Sequence, residues 1–81
     1  LDVNIGDALR AIRKKIGMSQ GDVFRNSGYT IDKSVISRIE TGQIADPRVS
    51  TMIRICRALG ISVEEFFRYA EEKGFISDDG Q

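Results

Sequence analysis

The chain has 81 residues and contains no histidine, no tryptophan, a single cysteine (Cys56) and a single proline (Pro47). Each scarcity excludes something. One cysteine cannot form a disulfide within the chain, and without histidine the usual Cys/His zinc sets cannot be assembled. The most common general base is missing, and no nucleophile elbow or phosphate-cradling glycine loop is present, so an enzyme is not expected and neither metal nor cofactor is implied. No apolar run approaches the roughly 18–20 residues that span a bilayer, and no secretory signal pattern is seen. A reducing cytoplasm is the expected location, with no membrane partner. Cys56 reads as a small buried helix residue rather than a redox centre.

Net charge is also absent: twelve Lys/Arg balance twelve Asp/Glu. The balance is uneven along the chain. Residues 1–60 carry ten Lys/Arg against six Asp/Glu, a balance of +4, and residues 61–81 carry two against six, a balance of −4. A basic binding face with an acidic section held away from it fits that asymmetry. So does uneven solvated charge, which by itself implies nothing.

What is present is helical periodicity, broken at glycines. Asn4 caps a first helix on which Ile5, Leu9, Ile12 and Ile16 recur at helical spacing, and Gly17 ends it. Ser19 caps a second, "QGDVFRNS", with Asp22 three residues on and Val23 and Phe24 as its buried side. A third runs from Lys33 to Thr41, with Ile36 and Ile39 inward, Lys33, Ser34, Ser37 and Arg38 outward, and Gly42 as the stop. Pro47 opens a fourth after the loop "QIADP", with Val49, Met52, Ile55, Cys56 and Leu59 as the buried stripe. Ser62 and Glu65 form a capping box for a fifth, with Val63, Phe66, Phe67 and Ala70 as its apolar side. The expected fold is all-α, a compact five-helix bundle over residues 1–74. Residues 75–81 are expected to be a polar, flexible tail.

The segments "IRKKIGMSQGDV", "SVISRIETG" and "MIRICRALGIS" stand in an order and near-spacing that resembles the Cro-like phage-repressor family, which includes the xenobiotic-response-element regulators. The resemblance covers residues 5–67. It implies a lambda-repressor-like domain whose second and third helices form a helix-turn-helix. It further implies double-stranded DNA as partner, a third helix in the major groove, and a homodimer on a two-fold operator, in a bacterium, phage or mobile element. It does not indicate a small-molecule effector. Lys33, Ser34, Ser37 and Arg38 then become the base-reading set, since Lys and Arg donate to guanine O6 and N7 and serines donate or accept. Gln20 and Arg48 match phosphate-contacting positions of the family. Thr41 and Gln43 are further phosphate candidates, although the loop at 43–46 lacks the basic residues many relatives carry. The resemblance also pairs Arg13 with Glu40 as a structural ion pair. Phe66, Tyr69 and Ala70 of the fifth helix are the candidate dimer surface. A competing reading keeps the bundle as a protein-interaction module, such as an antitoxin component, resting on the acidic C-terminal section and the aromatic residues of helix five.

Two departures from the family pattern fall together. About two residues too many separate Gly28 from the third helix, and Phe24 stands where relatives carry a small residue. Phe24 is expected to fill room opened by the longer turn, or else to rotate outward. Asp32, or alternatively Thr30, is expected to cap the third helix; with Thr30 as the cap, Tyr29 and Thr30 would lie near the sugar-phosphate backbone as further phosphate candidates.

Overall fold

A computed structural model describes residues 1–78. In chain order the elements are β1 (Asp2–Val3), α1 (Ile5–Ile16), α2 (Gln20–Asn26), α3 (Lys33–Glu40), α4 (Val49–Leu59), α5 (Val63–Glu72) and β2 (Ile76–Ser77). The helices begin where their caps place them. Asn4 accepts from the Asp7 amide, and Ser19 with Asp22 and Ser62 with Glu65 each form a reciprocal capping box. Arg48 occupies the cap position of α4 without a side-chain bond, so that helix starts later than expected and Pro47 is buried in the loop before it.

The core joins one face of every helix: Ile5, Ala8, Leu9 and Ile12 of α1, Val23 of α2, Ile36 and Ile39 of α3, Met52, Ile55, Cys56, Ala58 and Leu59 of α4, and Phe66 and Ala70 of α5. Two expectations about this core fail at helix ends. Val49, expected in the buried stripe, is 74% exposed at the first position of α4. Ile16, at the last turn of α1, is also exposed.

The α1–α3 crossing is close. A Cβ on Gly6 would overlap the carbonyl oxygen of Ile39 and crowd that of Glu40, so only glycine fits there.

The ordered body extends beyond residue 74. Phe75 is half-buried against Tyr69, its amide donates to Ala70 O (2.8 Å), and its carbonyl accepts from Asn4 N (2.7 Å). Ile76 and Ser77 then pair antiparallel with Val3 and Asp2. Residues 75–77 are therefore bound to the body rather than forming a tail, and residues 79–81 of the expected tail lie outside the described residues. A two-residue ladder carries no alternation for a sequence pattern to reveal.

Candidate nucleic-acid interface

The face presented by α3 follows from its anchoring. Ile36 and Ile39 are fully buried, and Glu40 at the end of the helix is 8% exposed. Glu40 takes a forked pair of bonds from Arg13 of α1: Nε to Oε2 at 2.7 Å and Nη2 to Oε1 at 2.9 Å. Arg13 Nη1 donates to Met18 O (2.9 Å), and Gln20 Nε2 donates to Glu40 Oε1 (3.1 Å). One fork thus ties α1, the α1–α2 turn, α2 and α3 together. The bonds to Glu40 raise the guanidinium pKa against the opposing effect of burial, so the cation persists at any ordinary pH.

With those groups inward, Lys33, Ser34 and Arg38 are exposed and Ser37 is half-buried on the opposite side of α3. Asp32 is the cap, accepting from Ser34 N at 3.4 Å, while Thr30 donates elsewhere. A Cβ on Gly21 of α2 would lie 3.7 Å from Lys33 Cδ, so the lysine stem lies beside the first turn of α2. Arg25 pairs with Asp22 at 2.6 Å on the same side.

The expected phosphate set divides. Arg48, Gln43 and Tyr29 are exposed. Gln20 commits one amide proton to Glu40 and retains a second. Thr30 and Thr41 are exposed too, but their hydroxyls donate back into the chain, Thr30 Oγ1 to Ser27 O (2.7 Å) and Thr41 Oγ1 to Ser37 O (2.9 Å), a carbonyl that also accepts the Thr41 amide. The α3–α4 loop folds back on α3 through Ile44 N to Arg38 O (3.0 Å).

The long α2–α3 turn is organised by residues the sequence did not single out. Ser27 Oγ donates to Phe24 O (2.6 Å) and accepts from Thr30 N (3.2 Å) and Ile31 N (3.1 Å). Ile31 is 5% exposed and belongs to the core. Ile31, not Phe24, fills the room under the turn. Phe24 stays half-buried outside the core cluster, its ring packed edge-on against Tyr29 at 5.0 Å and 85°. The sequence offers Ile31 as a second apolar residue beside Phe24 but does not say which of the two turns inward. A second missed contact is Asn26 Nδ2 to Ala58 O (3.2 Å), which ties α2 to the end of α4.

The candidate dimer surface also changes. Phe66 (0%) and Ala70 (1%) are buried because α5 turns that stripe onto α1 and α4. Of the three, Tyr69 alone is even half-exposed, stacked on Phe75 with Lys15 Nζ 5.3 Å from its ring centroid. Cys56 is fully buried, and burial pushes its thiol up to about 11, which leaves it a poor nucleophile at neutral pH.

Five helices around one core, the second and third joined by a turn and the third held with a polar face outward, define a helix-turn-helix domain. The helix-turn-helix family profile matches residues 9–66, and the chain belongs to this Cro/C1-type family of DNA-binding regulators. No curated protein and no solved structure gives a significant match. Among the described residues no helix is long and apolar enough to cross a membrane.

Proposed function

We propose that the protein is a sequence-specific transcriptional regulator that binds a two-fold operator as a homodimer, in the cytoplasm of a bacterium or phage host, with α3 in the major groove. The observation that carries this reading is the fixed polar face of α3. Ile36, Ile39 and the Arg13–Glu40 fork hold one side of the helix, and Lys33, Ser34, Ser37 and Arg38 present donors on the other. Lys33 and Arg38 suit guanine O6 and N7, and the serines suit mixed edges. Exposed Arg48 and Gln43, with the remaining amide proton of Gln20 at the N-terminus of α2, supply backbone contacts.

Selection of bound sites from random DNA, followed by titration of the recovered site and a scrambled copy, tests the reading. A two-fold consensus bound much more tightly than the scramble is expected, with the preference lost in Lys33→Ala/Arg38→Ala. Equal affinity for both DNAs sinks it. Sedimentation with and without the site tests the dimer. The interaction-module reading drew on the acidic C-terminal section and on Phe66, Phe67 and Tyr69 as exposed rings; the aromatic support weakens with Phe66 buried, Phe67 half-buried against it and Tyr69 stacked on Phe75.

A further inference from the structure

Tyr29 is the one non-glycine residue with positive φ (63°) among the described residues; every other left-handed position, at 17, 28, 42, 60 and 74, is a glycine. A bulky residue in that region is strained, and such strain persists only where the surroundings enforce it. They do so here. Tyr29 N donates to Phe24 O (3.1 Å), the Phe24 ring braces the tyrosine edge-on, Ser27 holds the two following amides, and Ile31 pins the turn to the core. The outcome is a tyrosine 67% exposed, held four residues before Lys33, at the end of α3 that carries Lys33 and Ser34. Glycine would remove the strain but offer no ring.

We infer that Tyr29 is a specificity-determining residue that packs its ring on a thymine 5-methyl group at the outer edge of each half-site. This rests on the DNA-reading function proposed above. The chemistry follows from what the major groove offers: its polar edges suit the donors of α3, and the thymine methyl is the apolar group available to a ring. The extra residues of the turn thus extend the footprint of the recognition helix by a contact the helix itself cannot reach.

The test uses the full chain and the site it selects from random DNA, with each thymine replaced singly by deoxyuridine, which removes only the methyl. The wild type should lose roughly fourfold in affinity at one symmetric position, the scale of one buried methyl group. Tyr29→Ala should bind the parent site more weakly and be indifferent to that replacement, while Tyr29→Phe keeps the sensitivity. Tyr29→Gly should match Tyr29→Ala in binding yet melt no lower than the wild type, since it relieves the left-handed backbone. The inference is overturned if Tyr29→Ala retains the wild-type deoxyuridine profile. It is also overturned if Tyr29→Phe loses as much as Tyr29→Ala, which would indicate a hydroxyl–phosphate contact, or if Tyr29→Gly melts well below the wild type, which would make the ring structural. A wild type that selects no site at all overturns the proposed function instead.

Discussion

Arg13 and Glu40 lie 27 residues apart, yet they carry more of the architecture than any other polar pair, because both are about nine-tenths buried and together they use three guanidinium N–H groups and both carboxylate oxygens. Glu40→Ala would leave a cation that cannot neutralise itself, bonded only to Met18 O. A loss of about 3–5 kcal/mol is expected. A domain this size holds roughly 4–12 kcal/mol in all, so urea unfolding should show a variant near or past the edge of folding. Two glycines make a sharper comparison at the same scale. Gly6→Ala sets a Cβ against the Ile39 carbonyl and should destabilise by about 1–3 kcal/mol, because neither backbone can yield. Gly21→Ala meets nothing closer than Arg25 Nη1 at 3.5 Å in an ordinary helical position and should stabilise by about 0.5–1 kcal/mol. Melting curves of the two variants should move in opposite directions.

At the scale of elements, the helix starts other than that of α4 were open to reading and the turn before α3 was not. Ser19–Asp22 and Ser62–Glu65 form the expected boxes because capping is local, requiring only a hydroxyl and a carboxylate three residues apart. Both acids have pKa values lowered, first by the backbone amide each accepts from, Ser19 and Ser62. Carboxylates depressed in the folded state add stability above their unfolded pKa and lose it as pH falls through the lower folded value. Urea midpoints should therefore drop on acidification below the ordinary carboxylate range, and Asp22→Asn/Glu65→Gln should flatten that drop while leaving the slope near pH 7 unchanged. The gap-filling alternative for Phe24 failed for a different reason. Two apolar side chains, Phe24 and Ile31, compete for one site, and their order along the chain cannot say which one the backbone turns inward.

For the whole molecule, zero net charge conceals a basic section followed by an acidic one. The α3–α4 loop supplies Arg48 but no other cation between residues 43 and 48, so few phosphates should be neutralised and the salt dependence of operator binding should be shallow. Arg48→Ala is expected to weaken operator and scrambled DNA by the same factor and to reduce the slope of log K against log salt by about one. Lys33→Ala should instead change which sequence is preferred. The terminal ladder belongs to this scale too. It closes the bundle by joining Asp2–Val3 to Ile76–Ser77, segments that meet only once α1 and α5 have packed.

The sequence by itself determined five helices, the caps of all but α4, the anchoring of α3 and the identity of its outward residues, because periodicity and capping act over a few residues. Tertiary structure alone decided that Ile31 rather than Phe24 fills the turn, that Phe66 and Ala70 face inward, that Thr30 and Thr41 donate into their own turns, and that residues 75–77 close against the N-terminus. Each of those is a choice between alternatives equal in local chemistry, and what separates them is the space left once the other helices are in place.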